Sequence, residues 1–210
     1  MVFIPLVGFG LGVATALADQ ALVTFVGPLV RSAMAIALVL VATGGLYPIG
    51  LARTLAAFRR RQPESSAAEI GPGNWLIAIA VIGLELVCLA SIVNAPARAR
   101  AIVLAMMLSR WAIVPIGYGL RPLDSSGLGL PFEGGIKFRE FAIGSVVGLG
   151  LAMGLYDIVA LAAIVALALT ILILRLLFSR TLGGASGYAL AAGAAICELV
   201  VLAVLAALRI

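Results

Sequence analysis

The chain has 210 residues, of which 64% are hydrophobic and only 11% charged, with a net charge of +5 and a mean hydropathy of +1.24. A water-soluble domain keeps about a quarter of its residues charged, so this composition excludes one and makes lipid the solvent. In lipid every backbone N–H and C=O needs an internal partner, and Leu-, Ala-, Val- and Ile-rich runs without alternation select helices over barrel strands.

The fold class expected is an all-α polytopic membrane helix bundle, a single domain over residues 1–210 with about seven transmembrane helices. The first span covers about 2–18, and its continuation past Asp19 and Gln20 toward Phe25 is left open. Met1–Gly12 is apolar from the start and lacks a basic leader, so no cleavable signal peptide is expected. Gly27-Pro28 breaks the chain before a second span at about 31–46. A polar loop at 47–73 follows, with Pro63, Gly71 and Pro72 as breakers. The third span, 74–93, and the fourth, 97–118, are joined by the short Asn94-Ala95-Pro96 turn. A second long loop covers 119–140. Phe141–Phe178 is too long for one crossing of about 20 residues, so it is divided near Asp157 into spans at 141–156 and 158–178. The loop 179–187 then leads to the last span at 188–208.

With seven spans, the N-terminus and the loops 47–73, 119–140 and 179–187 share one side. That side carries Arg53, Arg59, Arg60, Arg61, Arg121, Lys137, Arg139 and Arg180, against Arg31, Arg98, Arg100 and Arg209 opposite. The positive-inside rule therefore puts the long loops in the cytoplasm of a multi-pass inner-membrane protein. If Asp157 lies within one tilted helix instead, the C-terminus changes side. The basic residues fall between spans, which argues against nucleic acid as a partner. Membrane lipids are expected partners, and a second copy of the chain or another membrane protein is a further one. Gly144/Gly148 and Gly150/Gly154 each make a G-x-x-x-G step, a spacing that lets backbones approach within one chain or between two.

The chain has no histidine, which removes the commonest general base and transition-metal ligand together. Cys88 and Cys197 fall inside apolar runs and read as small core residues. An ionisable group at mid-membrane needs a partner or water. Glu85 lies in the third span and Arg110 in the fourth, on antiparallel neighbours, which predicts an intramembrane Glu85–Arg110 ion pair. Glu198, central in the last span, is placed to join it.

The run Thr43–Phe58, TGGLYPIGLARTLAAF, resembles the signature segment of the cobalamin-5′-phosphate synthase (adenosylcobinamide-GDP ribazoletransferase) family. Ile4–Gly8, Ser109-Arg110-Trp111, Gly127-Leu128-Gly129 with Phe132, and Arg180–Gly187 followed by Glu198 are similar to further family blocks, in the right order along nearly the whole chain. The resemblance implies transfer of α-ribazole or its phosphate onto adenosylcobinamide-GDP with release of GMP, late in cobalamin biosynthesis. It also implies aspartates that hold Mg²⁺ on the diphosphate, since hard divalent cations take oxygen ligands. The positions expected for those aspartates hold Ile49, Arg53, Ala56 and Tyr188 here. Within Ser66–Gly71 a family lysine, aspartate and arginine are replaced by Ser66, Ala67 and Glu69, and a lysine of the third span falls on or near Glu85.

Impaired or absent transfer is therefore expected, with no catalytic or metal-ligating residue and no cofactor, although the family uses Mg²⁺. Gly44, Gly45, Gly50, Arg110, Arg180, Gly183, Gly184 and Glu198 match the family motifs and are candidates for structural or binding roles. Two alternatives stand beside a weakened transferase. One is a non-catalytic membrane subunit or scaffold in a larger complex. The other is a lipid or small-molecule binder that turns Arg53, Arg59–Arg61 and Arg121 to anionic groups.

Overall fold

The computed structural model describes residues 3–60, 70–123 and 136–208, with only the backbone of residues 155–159. Seven α-helices follow in order: α1 Ile4–Ala21, α2 Pro28–Ala42, α3 Leu46–Arg60, α4 Pro72–Ser91, α5 Ala95–Gly117, α6 Phe138–Leu177, and α7 Gly187–Ala207. A π-helical turn, Phe178–Leu182, extends α6. Among the described residues the only β pairing is an isolated bridge between Pro122 and Ala185. Proline opens the first turn of α1, α2, α4 and α5, where its missing N–H has no helical partner to lose. Asn94 caps α5 by accepting from the Ala97 N–H at 3.1 Å, and Ser186 caps α7 by accepting from the Ala189 N–H at 3.0 Å.

The fold is an all-α polytopic membrane bundle. Five helices are long and apolar enough to cross a membrane, and six if α2 and α3 together form one broken span. Helix α5 is the central post: every residue from Ala101 to Ala112 is buried, Ser109 and Arg110 among them. Its closest neighbour, α1, presents Gly8 and Gly12, where a Cβ would come within 2.6 Å of the Met106 carbonyl and 2.8 Å of the Val103 Cα. Helix α4 instead buries one stripe, Asn74, Ala78, Glu85 and Leu89, and turns Leu76, Ile79 and Val87 outward to lipid.

Two sequence expectations need correction. The second span does not run over 31–46. It starts at Pro28 and ends at Ala42, where Gly44 and Gly45, at φ of 60° and 68°, turn the chain by 78° into α3. Glycine alone adopts two successive positive φ values without strain. The region 47–73 is likewise not all loop, because α3 continues helical to Arg60. Its buried Gly50, Leu51, Ala52, Thr54, Ala56 and Ala57 supply a face for packing, and Arg59 and Arg60 suit the negative end of the helix dipole. Arg61, Glu64, Ser66, Ala67, Glu69, Asp124, Gly127–Phe132 and Glu133 lie outside the described residues.

Helix α6 is helical throughout its 40 residues, yet it cannot be straight. Near its start, the Phe141 ring stacks on Tyr118 at 5.0 Å. Near its end, Arg175 Nη1 donates to the carbonyls of Tyr118 at 2.6 Å and Pro115 at 2.5 Å. A straight helix of that length would extend ~60 Å, so the segment reverses between two arms. The arm before residue 155 lays Gly148 against the Trp111 ring and joins Trp111 Nε1 to Ser145 Oγ at 3.2 Å. The arm after residue 159 buries Ala160, Ala163, Leu167, Ile171 and Leu174 in helical register. The two arms lie either side of Asp157. Counting the first arm as a crossing too would bring the six to seven. Of the two G-x-x-x-G steps, Gly144 and Gly148 face α5, whereas Gly150 and Gly154 have open space where a Cβ would stand.

Candidate functional site

The mid-bundle charges gather where α3, α4, α5 and α7 meet. Arg110 pairs with Glu198, not with Glu85: its Nη1 donates to Glu198 Oε2 and to Ser109 Oγ at 2.7 Å. Counted from the Asn94 turn, Arg110 lies seven residues deeper than Glu85, about 10 Å at the rise of a helix. Glu198 on α7 is placed to meet it. The Arg110 guanidinium also lies over the Tyr47 ring, 4.4 Å from its centroid, a cation–π contact strengthened by burial. Arg110 Nε and Nη2 are buried without a hydrogen-bond partner. Glu85 receives no hydrogen bond or ion pair among the described residues; it faces a cavity of about 40 Å³ that Tyr47, Met106 and Glu198 also line.

The other motif-matching residues divide by role. Gly44 and Gly45 make the α2–α3 elbow. Gly50 lets α3 lie on α7, since a Cβ there would reach the Tyr188 carbonyl and the Ala191 Cβ at 2.8 Å. Gly183, at φ 75°, turns the chain after the π-helical segment. Gly184 lies against the Arg121 carbonyl, where residues 121–123 pair with Ala185 through bonds of 2.9 and 3.1 Å. Arg180 is exposed at the end of that turn, away from the Arg110–Glu198 pair.

Two of the positions for which the resemblance implies aspartates do converge. The Arg53 guanidinium stands 4.4 Å from the centroid of the Tyr188 ring, while Ile49 is half-buried and Ala56 buried. A magnesium ion takes oxygen ligands, carboxylates foremost. Here three of the described carboxylates are committed elsewhere, and Glu85 faces the cavity that Tyr47 and Glu198 line. Asp19 pairs with Arg31 and Arg98, Glu198 with Arg110, and Glu140 accepts from the Lys137 N–H at 3.1 Å. No group of three or more acids, histidines or cysteines converges among the described residues. A cation stacked on an arylalcohol is not a magnesium site, and these residues do not fit one.

A second charge cluster escaped the sequence reading, which counted Arg31 and Arg98 as loop charges. Asp19, near the end of α1, accepts from Arg98 Nε at 3.0 and 3.1 Å, and from Arg31 Nη2. Arg98 is fully buried and also donates to the Leu89 carbonyl at 2.5 Å and to Ser32 Oγ at 2.8 Å. One side chain thus ties α1, α2, α4 and α5 at one end of the bundle. The signal available in the sequence was Asp19 itself, an acid at the end of an apolar run with basic residues near two other span ends.

An all-α multi-pass bundle with ion pairs sealed in its core defines an integral membrane protein. The chain matches the family model for cobalamin-5-phosphate synthase over residues 1–206. It is 33% identical over 177 residues to the adenosylcobinamide-GDP ribazoletransferase of Roseiflexus sp. (strain RS-1), an alignment covering 79% of this chain and 63% of that protein. No solved structure matches it. The chain belongs to the cobalamin-5-phosphate synthase family, and it spans less than two thirds of the length of that relative.

Proposed function

We propose that this chain is a multi-pass inner-membrane member of the family that keeps the bundle but does not carry out the Mg²⁺-dependent transfer. The observation that carries the reading is the contact of Arg53 with Tyr188, at positions where the resemblance implies carboxylates. A guanidinium there repels the divalent ion that such chemistry requires, and Ile49 and Ala56 offer no oxygen in its place. Without transfer, the role left to the chain is that of a membrane subunit or scaffold. The orientation proposed puts Arg59, Arg60 and Arg121 in the cytoplasm. Burial of Arg31 and Arg98 in the Asp19 cluster supports it, because these two no longer count as charges flanking the opposite face.

The test is turnover by the purified protein in lipid nanodiscs, supplied with adenosylcobinamide-GDP, α-ribazole phosphate and Mg²⁺, with GMP release followed by chromatography. The reading expects no release above that of empty nanodiscs. Magnesium-dependent release by the unaltered chain would refute it.

A further inference from the structure

Asp19, Glu140 and Glu198 each hold an ion pair or a hydrogen bond. Among the described side chains, Glu85 is the carboxyl with neither. It lies on α4, 9% exposed, and faces a cavity of about 40 Å³ toward Tyr47 and another of about 20 Å³ toward Thr15, both walled almost wholly by apolar side chains. Few groups there carry or accept charge. Arg110 on α5 is already engaged by Glu198 on α7. Tyr47 on α3 lies against the Arg110 guanidinium, and Cys88 stands one turn further along α4. Helix α2 contributes only Ile36, Val39 and Leu40, and α1 only the Thr15 hydroxyl, which donates to the Leu11 carbonyl at 2.9 Å.

One guanidinium thus serves one carboxylate, and no second cation stands beside Glu85 among the described residues. An ionised carboxylate left alone in apolar surroundings is so costly that the group keeps a proton instead, and at mid-membrane depth no bulk water offsets the cost. The same cavity lies close to lipid. Its walls Ile36 and Leu40 of α2 and Val81 and Ile82 of α4 are only half-buried, and Leu38, Leu84 and Val87 beside them face outward. An apolar molecule dissolved in the membrane reaches this seam without crossing water.

We propose that Glu85 is a neutral carboxylic acid within the membrane, a proton-holding site open from the lipid side to apolar carboxyl-activating reagents of the carbodiimide class. The neutral acid is the form that reacts. Its proton passes to one nitrogen of the carbodiimide while the carboxyl oxygen bonds to the central carbon. The acyl group then shifts to the other nitrogen, so the whole reagent stays on Glu85 as an N-acylurea and nothing leaves. Dry, apolar walls favour that shift over hydrolysis. The site is independent of whether the chain transfers anything.

The test is peptide mass mapping of the protein in lipid nanodiscs at neutral pH, after treatment with dicyclohexylcarbodiimide or, in parallel, with a water-soluble cationic carbodiimide. The proposal expects the dicyclohexyl adduct at Glu85 and no cationic adduct there. Glu85→Gln should lack the adduct and, as the neutral isostere, melt no lower than the unaltered protein. An adduct at Glu198 in its place, or none in the bundle, would overturn the proposal. Labelling of Glu85 by both reagents would overturn it too, because it would show a carboxyl wetted by bulk water. So would a lower melting temperature for Glu85→Gln, which would show a charge that the fold uses.

Discussion

Replacing Asp19 with alanine strands two buried guanidinia at once. Side chains of Arg98 and Arg31 are 0% and 6% exposed, and both pair with the one carboxylate. Removing one partner of a buried ion pair costs about 3–5 kcal/mol, because the remaining charge is left uncompensated. Here the upper end applies, since the lost acceptor serves two cations. Against a total stability of about 5–15 kcal/mol, Asp19→Ala removes from a third of the stability to all of it. The triple variant Asp19→Leu, Arg31→Met, Arg98→Met separates this cause from lost packing. Exchanging a whole buried charge cluster for apolar side chains is often neutral. It still removes the Arg98 hydrogen bonds to the Leu89 carbonyl and the Ser32 hydroxyl, and although these groups keep the Ile92 N–H and the Pro28 carbonyl as partners, each hydrogen bond to a charged group is worth about 1.5–3 kcal/mol. The triple variant should therefore recover part of the loss and fall short of the unaltered chain. Equilibrium unfolding in mixed micelles, followed by helical circular dichroism, measures all three proteins. An Asp19→Ala protein within about 1 kcal/mol of the unaltered one, well below the range for a broken buried pair, would refute the reasoning.

Gly8→Val should destabilise by about 1–3 kcal/mol through overpacking, because its Cβ would meet the Met106 carbonyl at 2.6 Å. Gly10→Val, on the same helix with nothing within 4 Å, should cost far less, and the two are compared by the same unfolding measurement. Arg175→Met should lower stability by about 1–3 kcal/mol, since it frees the Pro115 and Tyr118 carbonyls at the end of α5. For topology, single cysteines at Val93 and Arg60 are placed in a background with Cys88 and Cys197 changed to alanine. An impermeant maleimide should label the first in intact cells with a permeable outer membrane, and the second only after the inner membrane is opened.

The sequence was most legible where lipid imposed the rule. Apolar runs marked α1, α4, α5 and α7 within a few residues, because nothing but a helix satisfies the backbone there. It was least legible where polar composition hid a packed face. Leu46–Arg60 looks like a loop by charge, yet its small residues Gly50, Ala52, Ala56 and Ala57 seat it on the bundle. Partner choice was the other failure. Glu85 and Arg110 share adjacent helices, but depth along those helices and the position of α7 gave Arg110 to Glu198. The depth can be counted from the Asn94 turn, but no one-dimensional pattern places α7 beside α5. Arg98 misled for a related reason: a cation next to a turn counts as a loop charge until Asp19, 79 residues away along the chain, is seen against it. The motif glycines were legible as glycines, while their separate duties as elbow, contact and turn came only from backbone angles and neighbours.

Manganese binding tests the central claim most directly, since Mn²⁺ takes the same oxygen ligands as Mg²⁺ and its free form is counted by electron paramagnetic resonance. Protein in nanodiscs is titrated beside empty nanodiscs, with the Ile49→Asp, Arg53→Asp, Ala56→Asp, Tyr188→Asp variant as the comparison. The account predicts that the unaltered chain removes no more manganese from solution than lipid alone, while the variant takes up bound metal. One equivalent of manganese held by the unaltered chain would contradict it.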